Sequence, residues 1–275
     1  HLFGCPADVS RLRKLTPDPE ITILEDAAQV MGSVDKNEFL GCRGDIGIFS
    51  LGRGKALSTV EGGVAITDNK QIAAKLDSDF DLLPPYSAAE KLKLLIYALA
   101  LSVLQHPALF WIPKSLPFLR LGETIYDPHF SIKRMSALQA GMSRNWSKKL
   151  HFLHTQRANL VKKWKNLFKR LPGTDNQWKI PSQKYTNEAN FIRLPVVFQN
   201  ENNRKNILNT KTHLKLGVMP SYPDTINNIP QLQQEFQNQD FPNAKQIADR
   251  ILTLPVHKYV REKDMKDILN LLKTN

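Results

Sequence analysis

The sequence predicts an α/β fold built as two units, and three observations carry that prediction. Short apolar runs, partly β-branched, occur at residues 21–24, 46–50 and 64–67, with the Gly-rich segment 51–63 between the last two. Helix-periodic segments follow them, and strands separated by Gly-rich turns and then helices favour a layered α/β domain. The alternation returns in the C-terminal third, after Pro172-Gly173 breaks the pattern. At 275 residues, 41% hydrophobic and 23% charged, the chain is long enough to bury a real core. This composition excludes disordered, collagen-like and disulfide-scaffold classes. Two cysteines, Cys5 and Cys42, make no disulfide framework and point to a reducing cytoplasm.

Taken in order, the run 21–24 ends in Glu25-Asp26, which reads as a buried strand with acidic residues at its carboxyl end. The runs 46–50 and 64–67 are two further strands, and 69–78 is a helix that Asp68 is placed to cap. Residues 94–113 then hold twenty positions without a formal charge. Their length suffices to cross a bilayer, but Gln105, His106 and Pro107 interrupt them. A buried or lid-like helical hairpin is the first reading, interfacial membrane contact the second and a true span the last. Beyond Pro172, strands are predicted at 191–197, 217–220 and 251–256, helices near 203–216, 243–250 and 262–273, and a loop over the Asn/Gln-rich stretch 226–240.

Charge is unevenly placed. The formal net charge is +12, and from residue 128 to 174 eleven Lys and Arg occur with no Asp or Glu. Leu138, Met142, Leu150, Leu153, Leu160, Trp164, Leu167 and Leu171 interleave at helical spacing, so the stretch reads as one long or kinked amphipathic helix. A solvated helix face is the plain explanation. A surface for anionic lipid or a phosphorylated ligand is the functional one. No nucleic-acid partner is predicted, because no binding motif accompanies the charge.

Searches for chemistry by spacing return little. Gly54-Lys55 lacks the upstream Gly and following Ser/Thr of a phosphate loop, and GxGxxG, CxxC, HExxH and GxSxG are absent. His151 and His154 have no Cys or carboxylate near them in sequence and read as surface or packing residues, so no metal is predicted. One connected set remains: Glu25 to Gln29 at a strand end, Gly41 to Ser50, Leu51 to Lys55, and Glu61-Gly62-Gly63. Lys55 sits in a loop too Gly-rich to be chosen for stability. A lysine beside a cation such as Arg53, in a partly dry site, has its pKa lowered toward that of an amine nucleophile. An aspartate such as Asp26 at a strand's carboxyl end lies where open α/β sheets bind ligands. Read on its own, such a set is more often structural than catalytic.

These segments resemble the DegT/DnrJ/StrS family of sugar aminotransferases. His1-Leu2-Phe3-Gly4 with Pro6-Ala7-Asp8 is similar to that family's HLYG-x-PAD segment, and ILEDAAQ, GxxGDIGxFS, SLGRGK and EGG follow in its order and spacing. Arg134-Met135-Ser136-Ala137-Leu138-Gln139-Ala140 resembles its NYRMSELQAA helix start, and Phe241-Pro242-Asn243-Ala244 and Leu254-Pro255-Val256-His257 its C-terminal part. The resemblance implies a fold-type-I aminotransferase scaffold, here a partial large α/β domain over residues 1–145 and a basic helix with a small α/β domain over 146–275. Residues 79–124 look like an apolar insertion. It further implies the cofactor pyridoxal 5′-phosphate, held covalently by Lys55, with Asp26 on the pyridine nitrogen, Ser50 on the phosphate and Gln29 beside the ring hydroxyl. Lys55 would also shuttle protons at the substrate carbon.

The implied reaction moves an amino group from a donor such as glutamate to a keto group on a nucleotide-linked sugar, in polysaccharide or amino-sugar biosynthesis. The implied assembly is a cytoplasmic homodimer, with peripheral contact to an anionic membrane suggested by the apolar and basic segments together. A branch of the family replaces the lysine with His and performs dehydration; Lys55 argues against that branch. Two departures stand out. The family's Asn before its Tyr-Arg-Met falls on Ile132, which offers no hydrogen bond to a phosphate, and His1 falls about a third of the way into a family member. The chain therefore reads as a fragment, and its rival reading is a non-catalytic or regulatory homologue with a membrane-scaffold role.

Overall fold

The computed structural model describes residues 1–104, 109, 126–170, 177–181, 191–210, 212–222, 224–237 and 239–273. The chain divides into two compact units. The first comprises His1–Pro117, His129–Asn159 and Tyr185–Ile192, and the second comprises Phe118–Pro128, Leu160–Lys184 and Arg193–Asn275.

The first unit is organised by a three-stranded sheet of order β1-β4-β5, where β1 is Leu24–Asp26, β4 is Ile46–Ser50 and β5 is Gly63–Ile66. Strand β1 runs parallel to β4, pairing Leu24 with Ile46 and Asp26 with Ile48, and β5 runs antiparallel to β4. The strand predicted at 21–24 is thus shifted three residues on, because Ile21 and Thr22 are exposed while the acidic pair itself takes the extended conformation. Side chains alternate between faces along a strand. One face of the sheet therefore carries Leu24, Asp26, Ile46, Ile48 and Ser50, and the other carries Glu25, Gly47 and Phe49. The second face is the buried one, where Phe49 packs with Ala27, Val30 and Leu40. Between β1 and β4 the chain makes a small hairpin, β2 (Val34–Asp35) and β3 (Glu38–Phe39), whose turn residues Lys36 and Asn37 both adopt positive φ. That is the backbone a two-residue hairpin turn requires.

Glu25 ties this unit together. Its carboxylate is buried, with only 2% of the side chain exposed, and it accepts N–H bonds from Gly41 (3.1 Å), Arg43 (2.5 Å) and Gly44 (2.5 Å). The His1 ring Nε2 lies 2.7 Å from the same carboxylate, while its Nδ1 accepts the Ala7 N–H at 2.9 Å. A nitrogen that accepts must be unprotonated, so the proton sits on Nε2 and is donated to Glu25. The loop 41–44 is thereby fixed beneath β1, and β4 leaves it in register. Gly47 must be glycine for that arrangement: a Cβ there would stand 1.9 Å from the Gly41 carbonyl oxygen, a backbone atom that has nowhere to go.

Helix α1 (Val9–Leu15) is capped by Asp8 and α2 (Lys70–Leu82) by Asn69, which accepts from the N–H groups of Gln71 and Ile72, in place of the predicted Asp68. Helix α3 (Ala88–Leu104) contains the first half of the predicted apolar hairpin; residues 105–108 and 110–113 of that prediction lie outside the described residues. The long basic helix is broken into α4 (Ala137–Ser143) and α5 (Trp146–Lys169). Asn145 at the break has φ of +58°, and Ser136 with Gln139 closes a reciprocal capping box at the start of α4. Residues 171–174 of the predicted helix are not among those described. Residues Trp146–Asn159 of α5 belong to the first unit and Leu160–Lys169 to the second.

The second unit is built on an antiparallel sheet of β6 (Trp178–Lys179), β7 (Arg193–Phe198) and β8 (Ile251–Pro255). Its core lines up Trp164, Phe168, Trp178 and Phe198 with successive ring centroids 5.8–6.1 Å apart, the first pair stacked and the next two edge-to-face, and Trp164 gives its indole N–H to Pro255 O at 3.1 Å. Helix α9 (Glu262–Lys273) adds Met265, Ile268 and Leu272. The predicted helix 203–216 divides into α6 (Glu201–Asn209) and α7 (Thr212–Lys215). The predicted strand 217–220 reduces to a single bridge between Met219 and Thr253. Helix α8 (Pro242–Ala248) precedes β8. The predicted loop 226–240 is turn structure with a short 3-10 segment at Ile226–Asn228.

Two substitutions measure the Glu25 arrangement. Glu25→Gln turns an amide N–H₂ toward donors that need an acceptor, and urea unfolding should show a loss of about 2–3 kcal/mol with unchanged slope. Gly47→Ala should cost roughly 3 kcal/mol or more by overpacking against backbone, read as a lowered melting temperature or failure to fold.

Candidate functional site

The parity of β1 and β4 creates the site. Asp26 and Ser50 project from the same face of neighbouring strands, at or near their carboxyl ends. Both are accessible: Asp26 is exposed and Ser50 partly so. The chain then enters the loop 51–62, which is closed by backbone bonds from Leu51 N–H to Gly62 O (2.8 Å) and from Thr59 N–H to Leu51 O (2.9 Å). Gly52 donates its N–H to Ser50 Oγ at 3.2 Å, a bond that leaves the serine's own hydrogen unspent. Gly54 adopts φ of +76° with no atom within 4 Å of where a Cβ would stand, so the chain opens to space just before Lys55.

Lys55 is half-buried. Burial lowers its ammonium pKa, and the Asp26 carboxylate acts in the opposite sense by favouring the charged form. Asp26 and Lys55 are therefore electrostatic neighbours. Of the two causes expected for the lowered pKa, a partly dry site and Arg53, burial is the one that acts, while Arg53 lies exposed and does not contribute. Gln29 is partly buried on the turn after β1, and its Oε1 accepts the Phe3 N–H at 2.9 Å, which orients the amide. Asp26 in turn accepts the Ala28 N–H at 3.0 Å.

Arg157 of α5 is a residue that sequence reasoning missed. Its guanidinium reaches the carbonyl oxygens of Lys55 and Ala56, each at 3.4 Å, and burial lowers its pKa. The signal was hidden because Arg157 is one of eleven cations in a stretch that reads as a solvated face. Its neighbour His154 packs against Gly32, whose Cβ position is 2.9 Å from the imidazole Cε1. His154 Nε2 is buried without a hydrogen-bond partner among the described residues. Burial first and Arg157 second push its pKa down from 6.5 to about 4. Ile132 is 60% exposed. Lys133 beside it is engaged by Glu90, to which it donates, and lies 5.6 Å from the centre of the Tyr86 ring. The Tyr86 hydroxyl donates to Glu61 Oε1 at 2.9 Å, and Gln139 Nε2 donates to Glu61 O at 2.9 Å, so the Glu61-Gly62-Gly63 turn is held from two sides.

The donor set suits a pyridoxal phosphate: an amine whose pKa burial lowers, a carboxylate coupled to it, and a hydroxyl beside Gly-rich backbone.

Comparison with known proteins identifies the family. The model of the DegT/DnrJ/EryC1/StrS aminotransferase family matches residues 1–80 and 128–273, and the chain belongs to that family. Among curated relatives it is 22% identical over 277 residues to the spore coat polysaccharide biosynthesis protein SpsC of Bacillus subtilis, covering 99% of this chain and 64% of that protein. Among solved structures it superposes on Helicobacter pylori PseC, an aminotransferase involved in the biosynthesis of pseudoaminic acid, with a TM-score of 0.69 at 17% identity, covering 99% of this chain and 64% of that one. The GDP-4-keto-6-deoxy-D-mannose-3-dehydratase of E. coli, with bound hydrated PLP, gives a TM-score of 0.61 at 17% identity over 99% of this chain and 64% of its own. The fold is thus that of the fold-type-I aminotransferases, and the chain spans about 64% of the length of these proteins.

The His154 environment predicts a pH effect of defined sign. The unfolded imidazole takes its proton near pH 6.5 and the folded one near pH 4, so unfolding binds a proton in that window. Stability should fall as pH drops from about 6.5 toward about 4. In His154→Gln that part of the slope should vanish, as read from urea midpoints at several pH values.

Proposed function

We propose that the chain belongs to a pyridoxal-phosphate-dependent transferase of amino groups, which moves nitrogen from an amino acid such as glutamate to a keto group on a nucleotide-linked sugar. Such a reaction serves polysaccharide or amino-sugar biosynthesis. The observation that carries the reading is Lys55, half-buried, deprotonated more readily than a free lysine, and electrostatically coupled to Asp26 at the carboxyl end of β1. Family membership supports the choice of chemistry. We take the first unit as the remainder of the cofactor-binding domain and the second as the small domain.

In this reading Lys55 holds the cofactor covalently and afterwards moves the proton at the substrate carbon, tasks that both need a neutral amine at ordinary pH. Asp26 holds the proton of the ring nitrogen by pairing with it. Ser50 gives its free hydroxyl hydrogen to the phosphate, and Gln29, its amide oriented by Phe3, borders the ring hydroxyl. Arg157 steadies the peptide that carries Lys55. The bound cofactor supplies the electron sink for the carbon that loses its proton. The family membership also supports a homodimer acting in the cytoplasm. Lys55 separates this chain from dehydration chemistry, for which the family uses His at that place.

A second reading, a non-catalytic homologue, is favoured by Ile132 and by the engagement of Lys133 with Glu90, since neither is set to reach a phosphate. One experiment distinguishes the two. The complete protein mixed with pyridoxal phosphate should show the visible absorption of the bound cofactor, and borohydride reduction should fix the cofactor's mass on the peptide that contains Lys55. Lys55→Ala should abolish both signals, and Asp26→Asn should lower transamination on the order of 10²-fold or more. A wild-type protein with neither signal establishes the non-catalytic reading.

A further inference from the structure

We propose that α3 is a docking surface for an anionic lipid bilayer, lying in the plane of the interface with its outer face among the acyl chains. The helix is fixed to the protein on one side. Leu94 is buried, Glu90 takes the ammonium of Lys133, and Tyr86, just before the helix, reaches Glu61. At about 100° per residue, Leu92, Leu95, Ile96, Leu99 and Val103 fall within one arc on the side away from Leu94. All five are between 40% and 59% exposed, on the face where a surface helix ordinarily carries its charges. Ser102 borders the arc and gives its hydroxyl to Leu99 O at 2.7 Å.

Four features select lipid as the occupant. Lys91 and Lys93 stand just beyond the two edges of the arc, and both are exposed, the position from which lysines reach phosphate headgroups while the stripe is immersed. The only acid of the helix, Glu90, is already matched by Lys133, and the +12 of the chain adds long-range attraction to a negative surface. The stripe is five side chains on one helix, short of the roughly 20–30 residues per side of a stable protein interface. Finally, α3 lies wholly within residues 81–127, which the family model leaves unmatched, so the scaffold shared by the family holds no counterpart surface for it. Among the described residues no helix is long and apolar enough to cross a membrane, which makes the contact interfacial. The proposal does not rest on the transferase reading.

The test is cosedimentation of the chain with phosphatidylcholine vesicles, with and without phosphatidylserine. The chain should pellet with the anionic vesicles and be released at high salt. Ile96→Glu combined with Leu99→Glu should reduce partitioning at least about tenfold with circular dichroism unchanged, since both side chains are exposed. Ile96→Gln with Leu99→Gln serves the same purpose if the charged pair misfolds. Failure to pellet overturns the proposal, as does pelleting that the substitutions leave unchanged or that is equal on neutral vesicles. Sedimentation equilibrium supplies a further check: a self-association that the substitutions abolish would reassign the face to a second copy of the chain.

Discussion

The Glu25 carboxylate is the constraint on which the first unit depends. It is one of few buried charges among the described residues, and it is stable there because three backbone N–H groups and one imidazole N–H surround it. Those donors come from positions 1, 41, 43 and 44, so a single side chain of β1 ties down both the first residue and the loop entering β4. Everything that gives the site its geometry follows. The pairing of Asp26 with Ile48 sets Ser50 beyond it on the same face, and the loop from Leu51 returns to β5 with Lys55 at its half-buried side.

Much of this was legible in the sequence where local chemistry and global role coincide. The β-branched run at 46–50 became β4, and the final amphipathic segment became α9 over the residues anticipated. Asp26, Ser50 and Lys55 stood out through their resemblance to the family's motifs, and strand parity puts Asp26 and Ser50 on one face of the sheet. Less visible were features set by contacts between distant positions. Glu25 reads as the twin of Asp26 in a string of letters, and only the two-residue period of the strand tells the buried acid from the accessible one. Arg157 is one cation among many until it is seen reaching Lys55 O across a hundred residues of chain. Periodicity allowed a kink in the basic helix but did not place it, because helical spacing continues on both sides of the single left-handed residue Asn145.

The two units are stabilised by different means. The first relies on a polar knot beneath a small sheet, and its apolar cluster of Ala27, Val30, Leu40 and Phe49 is modest. The second relies on a chain of aromatic contacts and on a strand, β8, that is buried along its whole length. Arg193 and Arg204 are held in that second core by neutral acceptors: Arg193 gives to Thr253 Oγ1, Thr253 O and Gly217 O, and Arg204 gives to Ile251 O. Burial brings the Arg193 pKa down to about 10, which still leaves the guanidinium charged at neutral pH.

Strand parity in β1 has a consequence for how the protein tolerates change. Two acids of nearly identical chemistry stand side by side, one serving as a structural anchor and the other open to a ligand. A slip of one residue in register would keep the composition, the charge and the hydrogen-bonding alphabet, yet it would bury the accessible carboxylate and expose the anchoring one. Folding accuracy and chemistry are thus read by the same alternation. A misregistered chain cannot persist as a weakly working variant, because the error that empties the site also removes the anchor that would have held the fold.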